Sequence, residues 1–203
     1  MDSTCPLCGH TQPTIHHILF SCPEALQQGR YTWRHDSALQ ILVKSIKEHL
    51  DCNTTLYADL PGMRASENPV ATIPDDTLVT SARPDIVLLG EDEVTLIELT
   101  IPHNSLESLS NARDRKSQKD IYLHALSDLE AKGYVSNLYT IEIGSLGHWL
   151  PTSQRALLKA APSLMKQLAR KTMDEAARKI VGASQVIFKA RLEKVWTPSR
   201  TLL

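Results

Sequence analysis

Apolar positions recur along the chain in two rhythms, and each change of rhythm marks an element. From Arg30 to Leu50 the residues Leu39, Leu42, Val43, Ile46 and Leu50 step by threes and fours, which paints one apolar stripe on a helix. Ile86 to Leu89 and Val94 to Leu99 are short apolar runs joined by "GEDE", the pattern of two strands in an antiparallel hairpin. Pro102 bounds the second strand. A long helical segment then runs from about Ser105 to Lys132, its stripe stepping through Leu109, Ala112, Leu123 and Leu126, with Gly133 to close it. "NLYTIEIG" alternates as a further strand. Between Asn53 and Asp76 periodicity fades, and Pro61, Gly62, Pro69 and Pro74 predict a loop. Beyond Pro151 two or so helices are expected, one of them in "SLMKQLARKTMDEAARKIV". The strand after the long helix requires a crossover, so it can lie parallel to a hairpin strand.

Composition changes this picture in two places. The 203 residues, 42% apolar and 22% charged, suit one well-cored globular domain with small appendages. No apolar run is long enough to span a membrane, and no charged-then-apolar leader opens the chain. The net charge of −1 hides an asymmetry. From Pro151 onward eleven lysines and arginines face only Asp174, Glu175 and Glu193, so that segment carries +8 and the first 150 residues −9. A basic tail suited to a polyanion follows an acidic part suited to cations, unless the tail is only a solvated helical surface.

Three of the four cysteines fall within "CPLCGHTQPTIHHILFSC". An odd cluster with interleaved histidines is a poor disulfide framework and a good zinc framework. Spaced C-x2-C-x8-H-x4-C, the ligands are Cys5, Cys8, His17 and Cys22, with His16 a rival for the third position and His10 a more distant one. Four protein ligands leave no open position for substrate, so this zinc is structural. Cys52 stands apart as an ordinary buried or half-buried thiol. The expected fold is α/β: a small mixed sheet flanked by helices, with an N-terminal zinc knuckle (1–25), a central domain (26–150) and a basic helical C-terminal segment (151–203).

Catalytic chemistry is sought in the hairpin. Centred on Glu91 and Asp92, it pairs Leu89 with Val94, Val87 with Leu96, and Asp85 with Glu98. Opposed residues have Cβ atoms about 5 Å apart on one face. Two carboxylates so close repel unless a cation or proton lies between them, and hard oxygen donors suit magnesium or manganese. The plainer reading makes Asp85 a turn cap and Glu98 a solvated strand end. On the long helix, Lys116 and Lys119 occupy positions where the stripe demands apolar residues. They either snorkel to the sheet edge or reach a charged site. Two carboxylates for a metal plus a lysine form the set that hydrolyses a phosphodiester.

These residues resemble a known family. "RPD", twelve residues and "ELT" are similar to the PD-(D/E)XK signature of restriction-endonuclease-like nucleases, with Asp85 and Glu98 at the metal positions and Thr100 where a lysine usually stands. In the restriction-like endonuclease domain of site-specific non-LTR retrotransposon proteins the lysine has moved to the following helix, and "ARDRKSQKDIY" is similar to that helix. Lys116 is the first choice for the role and Lys119 the second. The knuckle and "GRYTWRHDSAL" extend the resemblance over roughly residues 1–150. It implies a nuclear enzyme that nicks target DNA so that an adjoining reverse transcriptase can prime, with element RNA a further partner. It also implies phosphate contacts from Arg34, His35 and Arg83. No polymerase signature is present, so the chain reads as a C-terminal piece of a longer protein or a remnant of one. The alternative is a nucleic-acid-binding module, knuckle plus basic tail, with a degenerate nuclease site. A zinc hydrolase using His103, His124 and His148 has no spacing to support it.

Overall fold

In the computed structural model, which describes residues 4–11, 13–60 and 83–197, the predicted order of elements is largely present. The elements are α1 (Pro23–Gln27), α2 (Arg30–Lys47), β1 (Thr55–Ala58), β2 (Ile86–Leu89), β3 (Glu93–Thr100), α3 (Leu106–Ser117), α4 (Asp120–Ala131), β4 (Val135–Glu142), α5 (Pro151–Ala160) and α6 (Lys166–Lys189). A π-helical turn, His17–Ser21, precedes α1. The four strands form one mixed sheet in the order β1-β2-β3-β4. The hairpin register is the expected one, with Leu89 opposite Val94, Val87 opposite Leu96 and Ile86 opposite Ile97. Strand β4 lies parallel to β3, reached by the crossover through α3 and α4.

Alternation along the strands gives the sheet two apolar faces. Val87, Val94 and Leu96 pack with Tyr122, Ala125 and Leu129 of α4. Ile86, Leu88, Ile97, Leu99 and Ile141 pack on the other side with Leu39, Leu42 and Ile46 of α2, Leu157 of α5 and Met173 and Ile180 of α6. The basic C-terminal helices therefore share one core with α2 and the sheet. Among the described residues no helix is long and apolar enough to cross a membrane.

Three expectations need correction. The long helix is two helices, because Lys119 takes an extended conformation (φ −70°, ψ 118°) and starts α4, with Asp120 in the first turn where the helix dipole favours an acid. The break resets the helical phase, so Tyr122, Ala125 and Leu129 face the sheet while Leu123 is exposed. The stretch from Asn53 holds β1, which a four-residue strand without alternation does not announce; it forms by pairing with β2. Residues 61–82, where Pro61, Gly62, Pro69 and Pro74 predicted a loop, lie outside the described residues. Cys52 is exposed, its thiol beside Asn53.

Candidate functional site

The N-terminal cluster forms because the chain doubles back between Thr4 and Thr11, with the Gly9 amide donating to Cys5 O at 2.8 Å. Gly9 takes a positive φ of 72°, which glycine adopts without a Cβ clash. That turn brings Cys5 and Cys8 together, and the π-helical turn supplies His17 and leads to Cys22. The ligand atoms of Cys5, Cys8, His17 and Cys22 all lie within 4.8 Å of one another. Cys8 Sγ is 3.3 Å from His17 Nε2, and Cys5 Sγ is 4.0 Å from Cys22 Sγ. His17 is buried and His16 exposed, which decides between the two rivals; His10 stacks on the His17 ring at 4.6 Å. Burial, then the neighbouring His10 and His16, lowers the His17 pKa and favours the neutral imidazole that binds metals. Three sulfurs and one ring nitrogen in this space could hold a metal such as zinc.

The cluster is docked onto the helices. The Tyr31 hydroxyl donates to Ile18 O at 2.8 Å and accepts from the Cys22 amide. Arg34 is buried, donating to Leu19 O and to Ser184 Oγ of α6, and its guanidinium lies over the Phe20 and Tyr31 rings. Burial lowers its pKa to about 10. As placed, Arg34 clamps the cluster to α2 and α6. Arg83 is largely exposed and pairs with Asp59 at 2.8 Å.

On the α4 side of the sheet, next to the apolar layer, lies a row of charge. Asp85 sits just before β2, and its Oδ2 accepts the Leu99 amide at 2.7 Å, so the carboxylate reaches across the hairpin to the residue after Glu98. Glu98 is only 1% exposed. Its Oε2 accepts from Lys116 Nζ at 2.5 Å, and its Oε1 accepts from the Tyr122 hydroxyl. Burial first, then the charge of Asp85, pushes the Glu98 carboxyl above its ordinary range, while Lys116 and Tyr122 pull it back. The two acids are thus in electrostatic contact. Burial and Glu98 raise the Tyr122 hydroxyl in turn.

His35 approaches from α2. Its Nδ1 is 3.2 Å from Asp36 Oδ1, and its Nε2 is 3.3 Å from both Asp85 Oδ2 and Leu99 O. Burial opposes a charge there, yet the bonds to Asp36 and Asp85 outweigh it and hold the imidazolium up to about 10. Lys119 forms no ion pair with either acid among the described residues, its ammonium instead lying 5.3 Å from the Tyr122 ring centre. Of the sequence-derived residues, the structure gathers Asp85, Glu98, Lys116 and His35 into one place.

Sequence reading missed Tyr122, Arg113, Thr152, Glu142 and Ser153. Tyr122 lies off the stripe read through Leu123 and Leu126 and faces the sheet only because the helical phase resets at Lys119. Arg113, one turn before Lys116, donates to Glu142 Oε2 at 2.7 Å and to the Thr152 hydroxyl. Glu142 is fully buried on β4, opposite Thr100, and Ser153 Oγ donates to its Oε2 at 2.8 Å. Thr100 Oγ1 and Glu142 Oε1 are buried without a hydrogen-bond partner among the described residues. A third cationic residue three places before Lys116 was the available signal for Arg113. No protein-family model matches the chain, and a search of curated proteins finds no match either.

Proposed function

We propose that the chain is a divalent-metal-dependent DNA endonuclease, a phosphodiester hydrolase of restriction-like fold. The observation that supports it most is Asp85, at the entry to β2, reaching the Leu99 amide beside Glu98 of β3, with Lys116 bonded to Glu98. The donor set fits magnesium or manganese: two hard carboxylates, one buried and raised by the other, gain from a shared cation. Asp85 and Glu98 would hold that ion. When bound, it would lower the pKa of a water and neutralise charge developing on the phosphate.

The chain's own residues supply the rest. Tyr122 and Lys116 fix the Glu98 carboxylate in one orientation, and the Leu99 amide and His35 fix that of Asp85. Lys116, its side chain about a quarter exposed, is the cation that would meet the phosphate or the attacking oxygen. With its resemblance to the endonuclease domain of site-specific non-LTR retrotransposon proteins, the chain would act in the nucleus. There it would nick target DNA for an adjoining reverse transcriptase, with the zinc knuckle and the basic C-terminal helices contributing nucleic-acid contacts.

A second reading is a nucleic-acid-binding module whose nuclease site is degenerate. It is favoured by Thr100 in the place of the usual lysine and by Glu98 having both oxygens engaged by protein donors. A plasmid nicking assay with magnesium, manganese or EDTA separates the two, run beside Asp85→Ala and Glu98→Ala proteins at matched zinc content. Metal-dependent nicking lost in both variants is the expected result. Absence of nicking, or nicking that survives both substitutions, would sink the endonuclease reading and leave the binding module.

A further inference from the structure

Arg113 and Lys116 are three residues apart on α3, so both side chains leave the same helix face. Lys116 ends on Glu98; Arg113 ends on Glu142, one strand further along the sheet. Arg113 makes both of its hydrogen bonds through Nη2, to Glu142 and to Thr152. Its Nε and Nη1 hold no hydrogen bond among the described residues, and the side chain is 26% exposed. One nitrogen is therefore anchored at a fully buried carboxylate while two are left to donate outward.

A tether needed only for stability is served as well by an apolar pair, since a buried ion pair seldom exceeds its desolvation cost. This one also leaves Glu142 Oε1 and the neighbouring Thr100 hydroxyl unpaired, a cost that packing alone would avoid. What the ion pair supplies instead is a guanidinium held rigid at the rim of the Asp85 and Glu98 site. A planar guanidinium with spare donors is well suited to a phosphate.

We propose that Arg113 contacts a DNA phosphate next to the one that is cleaved, with Glu142 as the residue that positions it. That the neighbouring phosphate is cleaved rests on the endonuclease reading, but the contact itself can be measured without cleavage. Binding of a fluorescein-labelled DNA duplex is followed by anisotropy without added magnesium or manganese, across a range of salt and at matched zinc content, for wild type, Arg113→Lys, Arg113→Met and Glu142→Gln. Arg113→Lys keeps the bond to Glu142 but has no second nitrogen to offer, so it should melt as wild type does.

Both Arg113 variants should lower the slope of log affinity against log salt by about 0.9, the value of one phosphate contact. Glu142→Gln should weaken binding and raise KM for nicking with kcat unchanged, a split that loss of folded protein does not give. Wild-type affinity and slope in Arg113→Lys would overturn the proposal, whether or not Arg113→Met folds. Displacement of the duplex by inorganic phosphate at matched ionic strength would also overturn it, by revealing a free-anion site. If wild type fails to nick while Arg113→Lys still lowers the slope, the endonuclease reading falls and the phosphate contact stands. If wild type nicks and Arg113→Lys binds as wild type does, the contact alone falls.

Discussion

Lys116 Nζ lies 2.5 Å from Glu98 Oε2, joining the last turn of α3 to the middle strand of the β2-β3-β4 ladder across eighteen residues of sequence. A buried carboxylate without a partner would neutralise itself by taking a proton. Here a cation and a phenol hydroxyl oppose that tendency, and the pair stands where strands β3 and β4 end. Helix α3 buries only Leu109 and Ala112 among its apolar residues, and the ion pairs at Lys116 and Arg113 set where its last two turns lie against the sheet.

Lys116→Met should therefore act on stability and activity together. Leaving Glu98 with Tyr122 as its remaining side-chain donor should cost about 1–3 kcal/mol, read as a lower urea midpoint with an unchanged m-value. Nicking should fall by about two orders of magnitude or more, the scale seen when one charge-stabilising donor is removed. Lys119→Met removes an exposed side chain that does not reach the acids and should change neither quantity. Equal losses in the two variants would show that the lysine on Glu98 has no special role.

Tyr122→Phe separates support of Glu98 from the charge of Lys116. The ring still packs with Ala125 and Leu129, so the apolar layer should survive. Only the hydroxyl to Glu98 Oε1 is lost, at about 1.5–3 kcal/mol for a hydrogen bond to a charged group. With one oxygen released, metal binding at the pair should change while the fold does not. Titration with manganese, followed by its paramagnetic effect on water relaxation, measures this, and an unchanged affinity would mean that Tyr122 does not restrain the carboxylate.

The N-terminal cluster predicts a metal dependence of its own. Purified protein should contain one equivalent of zinc by elemental analysis. His17→Ala and Cys22→Ser should lose it, and His16→Ala should keep it. Loss of metal should free the Tyr31 bonds to Cys22 and Ile18 and expose the apolar residues Ile18 and Leu19, which pack with Ile187 at the end of α6. A wild-type melting temperature after chelation would show that the cluster is folded without metal.

The hairpin was legible in the sequence because the turn at Glu91 and Asp92 sets Leu89 against Val94 and Ile86 against Ile97, and one further step along that register sets Asp85 against Glu98. Strand β1 escaped because its pairing with β2, and not its own pattern, makes it a strand. The break at Lys119 escaped because the stripe can be continued through it on paper; Leu109 and Ala112 belong to one helix and Tyr122 and Leu129 to another. The same misreading put Lys119 beside Lys116. Only the resemblance pointed Arg34 at phosphate; its burial depends on partners as distant as Ser184, which no local pattern reveals. Glu142, far along the chain from α3, could be joined to Arg113 only once the parallel pairing of β3 and β4 was known.

Arg30 gives the last prediction, for the joint between the two ends of the described chain. It is fully buried at the start of α2, and its Nη1 donates to Ala190 O at 2.7 Å and its Nη2 to Glu193 O at 2.6 Å. Its Nε and Nη2 both reach Gln28 Oε1, and the guanidinium lies 4.9 Å from the Trp196 ring centre. Burial lowers its pKa, but a guanidinium stays charged at neutral pH. Arg30→Met would leave the carbonyls after α6 without their donor at a cost of about 2 kcal/mol or more. Arg30→Lys should not restore it, because one ammonium cannot reproduce a planar fork bonded on three sides. Urea unfolding measures both, and protease cleavage after Lys194 should become faster in each variant as the C-terminal turn detaches. A midpoint within a few tenths of a molar of wild type in Arg30→Met would mean that α2 and α6 hold together through their apolar faces alone.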